Sequence, residues 1–591
     1  MTTNPVIDPT IQKRINDWLN GNYDAETKDT IKKLMQNNPG ELVSAFYTNL
    51  SFGTGGLRGI MGVGCNRMNT YTVRGATQGL ANYIKRSISD LKSASVVISY
   101  DSRIRSQQFA QEAARILAAN GIKAYIFKEL RPTPLVSFAC RYKKCTAAIM
   151  VTASHNPPAY NGYKVYWSDG AQVLPPHDQE IVKEVNNISD LSSIATVELS
   201  HPLIESIDKE LDQEYFNAIR GLQHCAEDNK KLGSTLKVVY SALHGTGMTL
   251  MPQALKEWGF TNFISVEEQN TPDGQFPTVK YPNPEDPAAL KLGIEKMLTT
   301  GADLFIANDP DADRLGVAVN HRGKVELLNG NQIACVCLEH ICQTLTQQGK
   351  MPANAAFVKT IVTSELFAAI AKSYNKPCFD VLTGFKYIGQ LIHQWEQMIP
   401  QPYQYIFGGE ESYGYLLGTH ARDKDAIISG CLLCEVALQA KKEGKTLVDC
   451  LHAIYKKYGI YREHLLNIDF PETKEGKEKM ASLMQQLRLT PPQQIGGVAV
   501  KVLEDYEKGT RTQLVEGITE KLPFPKTNVL LFWLSDGSKL AIRPSGTEPK
   551  VKVYCGAFQP MQKDKDIQNG IAETDHYANT LLAAVKKLLQ A

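Results

Sequence analysis

Apolar residues recur at helical three- and four-residue spacing over 11–19, 27–35 and 42–50, which predicts three helices at the start of the chain. A glycine-dense stretch follows, Gly53-Thr54-Gly55-Gly56-Leu57-Arg58-Gly59. Beyond it short apolar runs alternate with helical ones: a strand over 95–100, a helix over 107–119 and a strand over 123–127. Pro132 and Pro134 break the chain ahead of the next helix, and an apolar run over 146–151 predicts another strand. Residues 171–210 are polar, with Pro175-Pro176, and place a boundary near 205.

A second alternating pattern opens with a strand over 236–240 and closes with one over 303–307, with a proline-rich irregular loop over 270–285 between them. A third begins near 330, with strands over 356–360, 379–383 and 403–407 and a long helix over 426–442. The last part differs: strands over 498–503, 529–534, 539–543 and 550–554 cluster ahead of a terminal helix over 579–589. The pattern reads as an α/β chain with a smaller C-terminal α+β domain. The expected boundaries are 1–205, 206–328, 329–455 and 456–591. Three apolar strands each end in a polar loop: at Ser154, at Asp309-Pro310-Asp311-Ala312-Asp313-Arg314, and at Gly408-Gly409-Glu410-Glu411-Ser412-Tyr413. In open α/β sheets the carboxyl ends of strands hold ligands, so the three loops are expected to serve one cleft.

Composition narrows the function. The 591 residues are 43% hydrophobic and 21% charged, as in ordinary globular proteins. With 64 basic and 62 acidic residues the net charge is +2, which argues against a nucleic-acid or membrane-surface partner. No apolar run reaches the ~20 residues of a membrane span, and the polar start lacks the apolar core of a secretory signal, so a cytoplasmic location is expected. The 12 cysteines form no disulfide or zinc framework. Cys335/Cys337 and Cys431/Cys434 lie in helical apolar patterns and read as buried reduced thiols.

The loops carry the chemistry. In Thr152-Ala153-Ser154-His155-Asn156-Pro157 a serine at a strand end is a candidate nucleophile, with a strand-ending Ser/Asn turn as the alternative. Asp309, Asp311 and Asp313 put three hard oxygen ligands within five residues, a set that repels itself without a cation and suits Mg²⁺. A calcium EF-hand is excluded, because Arg314 stands where its loop needs glycine and Asn320 where it needs glutamate. Arg543-Pro544-Ser545-Gly546-Thr547-Glu548 reads as an anion cradle of a forked guanidinium, two hydroxyls and an approachable backbone. The glycine loop lacks Walker A and dinucleotide endings, which leaves Arg58 as a charge for a phosphoryl group. Glu410 and Ser412, on alternate positions, suit sugar hydroxyls. Lys386, in Thr383-Gly384-Phe385-Lys386, Lys424, in Arg422-Asp423-Lys424-Asp425, and His155 are all candidates for proton transfer. His244 reads as structural.

Taken in this order, the motifs resemble those of the α-D-phosphohexomutase superfamily, from Gly53 to Tyr554. The glycine loop and the two lysine segments resemble the branch of bacterial phosphomannomutase-type members and phosphopentomutase-like relatives. The resemblance implies four domains around a central cleft, three layered α/β domains with mixed sheets and a smaller C-terminal α+β domain. It implies Ser154 as phosphoserine, and one Mg²⁺ per chain on Ser154, Asp309, Asp311 and Asp313. His155, Lys386, Lys424 and Arg58 would serve catalysis. Arg314, Thr383, Gly384, Glu410, Ser412, Arg543, Ser545, Gly546 and Thr547 would bind substrate. The implied activity is reversible conversion of α-D-glucose 1-phosphate and glucose 6-phosphate, with glucose 1,6-bisphosphate as activator and intermediate. Mannose or pentose phosphates and, more remotely, a phosphoserine-type phosphatase remain open. A small sugar phosphate is the expected partner of a monomer or homodimer.

Overall fold

A computed structural model describes residues 7–50, 56–471, 474–545, 550–562 and 565–590. Gly53, Thr54, Gly55, Gly546 and Thr547 lie outside the described residues. The chain divides into two compact units, 1–329 with 385–443, and 330–384 with 444–591.

The first unit opens with the three helices, Pro9–Asn20, Ala25–Asn37 and Pro39–Phe46, capped by the side chains of Asp8, Asp24 and Asn38. They close on Trp18, which stacks on Tyr23 and meets Phe46 and Tyr71 edge-on. A six-stranded sheet follows in the order Gly56–Ile60, Tyr160–Trp167, Ala147–Val151, Ser95–Tyr100, Lys123–Phe127, Ile204–Ile207. Its last four strands are parallel, and the first two run antiparallel at one edge. Ser95–Tyr100 and Ala147–Val151 are buried along their whole length, which is why they read as unbroken apolar runs. Each buried Val96, Ile98 or Ile149 contributes about 1.5–3 kcal/mol by leaving water.

Strand Ile204–Ile207 runs across the boundary expected near 205 and completes the first sheet. Only its two ends are apolar, so pairing with Lys123–Phe127, not local pattern, makes it a strand. Pro134 does not delay the next helix; it occupies the first turn of Thr133–Tyr142, where a missing N–H costs nothing.

The second sheet runs Lys324–Leu328, Leu315–His321, Leu304–Asn308, Val238–Ser241, Phe263–Ser265. The first unit also holds the hairpin Gln404–Glu410/Gly414–Leu417 and the helix Ala426–Lys442, which Asp425 caps. In the second unit Ala355–Thr360 and Cys378–Val381 form a parallel pair. Its larger sheet is antiparallel, in the order Ile460–Asp469, Lys550–Gln559, Lys539–Pro544, Leu530–Leu534, Val498–Asp505, Thr510–Gln513, Thr519–Lys521. Strand Lys550–Gln559 alternates buried and half-buried residues, and its buried side, with Leu540 and Ile542, joins a core shared with Leu581 and Val585 of the helix Ile567–Gln590. That helix starts twelve residues before the expected 579, because tertiary packing at Gly570 and Thr574 carries it through a polar stretch. Among the described residues no helix is long and apolar enough to cross a membrane.

Candidate active site

Ser154 stands just beyond strand Ala147–Val151, in a left-handed backbone conformation with φ 49°. For a residue with a Cβ this costs about 1–3 kcal/mol, so the surroundings must impose it. They do so in two layers. The Ser154 N–H donates to Thr152 Oγ1 at 2.9 Å, and that hydroxyl donates to Asp101 Oδ2 at 2.6 Å. Arg103 donates to the carbonyls of Ser154 and Asn156 at 2.5 Å, of Pro157 at 2.8 Å and of Tyr160 at 3.1 Å. Asp101 pairs with Arg103 at 3.2 Å, both side chains being shut off from solvent. Neither was singled out from sequence, although Tyr100-Asp101-Ser102-Arg103 is another strand end that turns abruptly charged.

The Ser154 hydroxyl points at the metal loop. Its Oγ donates to Asp309 Oδ2 at 2.8 Å and lies 3.2 Å from His155 Nδ1. Asp309 also accepts the backbone N–H of Asp313 at 3.1 Å and of Arg314 at 3.0 Å. The loop rests on Gly245 and Thr246. Any side chain at 245 would put its Cβ 2.3 Å from Pro310 Cα, and the Thr246 N–H donates to the Pro310 carbonyl at 2.7 Å. His244, beside them, is held through its ring nitrogens by the Thr271 carbonyl at 3.2 Å and Thr278 Oγ1 at 2.8 Å, as a structural residue is.

Two lysines enter the cluster. Lys164 Nζ donates to Asp311 Oδ2 at 2.6 Å and Asp313 Oδ2 at 3.2 Å. Lys424 Nζ lies 3.2 Å from Asp313 Oδ2 and 3.9 Å from Glu410 Oε2. Gly414 makes room for it, since a Cβ there would sit 2.0 Å from Lys424 Cδ. Burial opposes both ammonium charges, yet Asp311, Asp313 and Asp423 raise Lys164, and Asp313, Asp423 and Glu410 raise Lys424, above the ordinary range. Both are therefore firmly cationic. Lys164 was missed from sequence; a lone charge inside the aromatic strand Tyr160–Trp167 was its signal.

The carboxylates fit a metal. One ligand oxygen from each of Asp309, Asp311 and Asp313 lies within 4.8 Å of the others, all buried. Asp311 Oδ1 and Asp313 Oδ1 are buried with no hydrogen-bond partner, although their second oxygens meet lysine. Orphaned acceptors of this kind are costly unless a cation takes them. Burial, then Asp313 and Asp311, pushes Asp309 well above the usual carboxylate range. Burial works the same way on Asp313, but Lys424, Lys164 and Arg314 hold it below that range. An oxygen-only set of this size suits a hard divalent ion such as Mg²⁺.

The remaining expected residues distribute as follows. Burial, with Arg314, Arg58 and Arg103 nearby, lowers His155 well below its ordinary value and leaves a neutral ring. Arg58 donates to Asn156 Oδ1 at 3.1 Å from an exposed position. Arg314 pairs with Glu285 and stands 3.9 Å from Asp313. Glu410 ends its strand buried, and Ser412 sits half-buried in the hairpin turn. Lys386, in the first turn of Phe385–Gln397, is lowered by burial to about 8, against the pull of Asp178. In the second unit Thr383 and Gly384 follow strand Cys378–Val381, with Gly384 at φ 120°. There Arg543 lies on strand Lys539–Pro544, and the Ser545 N–H donates to the Lys550 carbonyl at 2.7 Å, closing the hairpin base.

A serine hydroxyl on a carboxylate cluster flanked by fixed cations is a site for phosphoryl transfer. Four successive stretches match the models of phosphoglucomutase/phosphomannomutase: α/β/α domain I over 49–192, domain II over 213–323, domain III over 329–458 and the C-terminal domain over 498–574. Phosphoglucomutase of Staphylococcus saprophyticus is 37% identical over 91% of this chain and 95% of its own. That of Staphylococcus aureus strain MRSA252 is 36% identical over 92% and 94%. In fold, a putative phosphomannomutase from Thermus thermophilus matches with a TM-score of 0.66 at 20% identity, over 92% of this chain and all of its own. The open form of the Paramecium exocytosis-sensitive phosphoprotein parafusin, a phosphoglucomutase, matches at 0.67 and 18%, over 91% and 96%. The chain belongs to the phosphoglucomutase/phosphomannomutase family, within the α-D-phosphohexomutase superfamily, as its motifs implied. It is thereby an enzyme of the isomerase class, an intramolecular phosphotransferase.

Proposed function

We propose that the chain interconverts α-D-glucose 1-phosphate and glucose 6-phosphate through a phosphoserine at Ser154 and a glucose 1,6-bisphosphate intermediate. The observation that carries this reading is Ser154 Oγ, 2.8 Å from Asp309 in a buried cluster of three aspartates and two lysines. The staphylococcal relatives named phosphoglucomutase support glucose as the sugar. Glucose 1,6-bisphosphate charges the resting enzyme by giving one phosphoryl to Ser154. A hydroxyl of the bound sugar phosphate then attacks that phosphorus. Its oxygen–phosphorus bond forms as the Ser154 Oγ–phosphorus bond breaks, and the hydroxyl proton passes to a base. The bisphosphate turns over, and its other phosphoryl bonds to Ser154 Oγ as the sugar oxygen–phosphorus bond breaks and that oxygen takes the proton back from the base.

Lys164, Lys424 and Arg314 are fixed positive charges around the transferring group. Lys164 and Lys424, raised as they are, suit charge stabilisation and not proton transfer. Neutral His155, beside Ser154 Oγ, and Lys386, near 8, are the groups able to accept the proton. Asp309, Asp311, Asp313 and Ser154 would hold Mg²⁺, which when bound supplies charge neutralisation on the phosphoryl oxygens. Thr383, Gly384, Glu410 and Ser412 would hold the sugar. Arg543, Ser545, Gly546 and Thr547 would hold the phosphate that is not transferred, with Arg58 a further charge. The twelve free thiols support a cytoplasmic enzyme, and we propose a monomer or homodimer.

The test is a mutase assay on glucose, mannose, glucosamine and ribose 1-phosphates with Mg²⁺ and catalytic bisphosphate. Glucose 1-phosphate is expected to give the highest kcat/KM with no free phosphate. Stoichiometric phosphate release overturns the mutase reading in favour of a phosphatase, and a higher kcat/KM on another sugar overturns glucose.

A further inference from the structure

A second buried charge cluster lies in the second unit. Lys539 is the first residue of the strand that ends at Arg543 and Pro544. Its Nζ donates to the carbonyls of Ile361 at 2.9 Å and Thr363 at 2.8 Å and to Glu365 Oε1 at 2.5 Å. All three ammonium hydrogens are thus committed to one turn, 361–365. The same Glu365 oxygen accepts Lys359 Nζ at 2.8 Å, and Lys359 also pairs with Asp380 at 2.7 Å.

The strand's alternation makes this contact directional. Leu540 and Ile542 enter the apolar core, so residues 539, 541 and 543 share the opposite face. Lys539 and Arg543 therefore project from one face, ~13 Å apart at ~3.3 Å per residue. Opposite Lys539 on the neighbouring strand stands Gly556, where a Cβ would press Lys539 Cγ at 3.4 Å. An apolar residue at 539 would satisfy burial more cheaply than a lysine does. A lysine tied to two carbonyls and a carboxylate fixes where the strand lies and how it is turned.

We propose that Lys539 is a positioning residue for the phosphate-holding hairpin, anchoring its strand to the 361–365 turn so that Arg543 and Ser545 meet the phosphate in one fixed pose. This rests on the reading of Arg543 and Ser545 as phosphate ligands. Lys539 itself does not touch substrate.

The experiment is a double-mutant cycle on the full-length protein with Lys539→Met and Arg543→Ala. It is read twice: as KM for glucose 1-phosphate in turnover, and as Kd for glucose 6-phosphate by calorimetry, which needs no turnover. Positioning predicts that Lys539→Met raises KM and Kd about tenfold with kcat changed less. Added to Arg543→Ala it costs less than twofold more, because the arginine it served is gone. A Kd within twofold of wild type, or fully multiplicative losses, overturns the proposal and makes Lys539 a stabilising residue only. Glu365→Gln, which keeps shape and removes the shared charge, runs the same cycle should Lys539→Met fail to fold. If wild type binds glucose 6-phosphate but turns over no sugar 1-phosphate, the mutase reading fails while the binding cycle still decides on Lys539. If Arg543→Ala leaves Kd unchanged, the hairpin is not the phosphate holder and the inference falls with it.

Discussion

Lys164 and Lys424 meet Asp311 and Asp313 in the first unit; Lys359 and Lys539 meet Glu365 and Asp380 in the second. The two clusters have similar composition and burial, and differ in what is left over. In the second, Lys539 fills its three donors with two carbonyls and a carboxylate, and Asp380 reaches partly into water. In the first, three carboxylates crowd together, two of their oxygens have no hydrogen-bond partner, and a serine hydroxyl points in. Buried polar groups are normally satisfied, so a cluster that leaves acceptors open is held together by its surroundings for another purpose. The lesson is that unspent lone pairs, more than the presence of buried charge, separate a site from a strut.

That contrast breaks most visibly at the hydroxyl. Ser154→Ala is expected to lower turnover by more than about 10⁴-fold, since nothing remains to carry the phosphoryl. The protein should then take up no phosphoryl from bisphosphate in intact-mass measurements. Turnover within tenfold of wild type would sink the phosphoserine. Next comes the open cluster itself. Asp311→Asn keeps the shape and removes one of three repelling charges. Activity should fall by about 10²–10³-fold, the scale of losing one electrostatic stabiliser. Urea unfolding without metal should move by less than about 1 kcal/mol, because one relieved repulsion offsets one weakened lysine contact. A large loss of stability with activity retained would make the first cluster a strut like the second.

The sequence pattern reached this site unevenly. Ser154, the aspartates and Glu410 stand out in the sequence because an apolar strand gives way there to an abrupt polar loop, a change visible locally. Lys164, Asp101 and Arg103 do not, because their importance lies in partners 147, 51 and 51 positions away: Asp311, Thr152 and Ser154. Strands Ser95–Tyr100 and Ala147–Val151 were placed nearly to the residue, since burial on both faces leaves continuous apolar runs; the interior strands Tyr160–Trp167 and Leu315–His321 were not predicted. Strand Ile204–Ile207 escaped because an edge strand has only one neighbour and no such run.

Lys386 sharpens the comparison from outside both clusters, as a buried lysine on which Asp178 pulls against burial. Burial lowers it from 10.5 to about 8. Between those two values the unfolded chain holds the proton that the folded chain has released, so stability rises with pH across that window. At ~1.4 kcal/mol per unit the gain is up to ~3 kcal/mol. Lys386→Met should lack this gain, read as the difference in urea midpoints between pH 7.5 and 10. The same variant tests the proton acceptor. If Lys386 is the base, the wild-type kcat profile carries a limb near pH 8 that the variant loses; a profile left unchanged assigns the proton to His155.

The smallest effect belongs to the closed cluster. Lys359→Met removes one of two lysines on Glu365 and leaves Lys539 in place. Asp380, 40% exposed, can be solvated where it stands. Breaking a fully buried pair costs about 3–5 kcal/mol; with the second lysine and the partial exposure, about 2 kcal/mol is expected here. Hydrogen exchange in Ala355–Thr360 and Lys539–Pro544 should quicken accordingly. Phosphoserine formation, which depends on the first cluster, should stay within threefold of wild type. If phosphoserine formation collapsed while exchange stayed slow, the closed cluster would have a chemical role, and satisfied lone pairs would no longer distinguish strut from site.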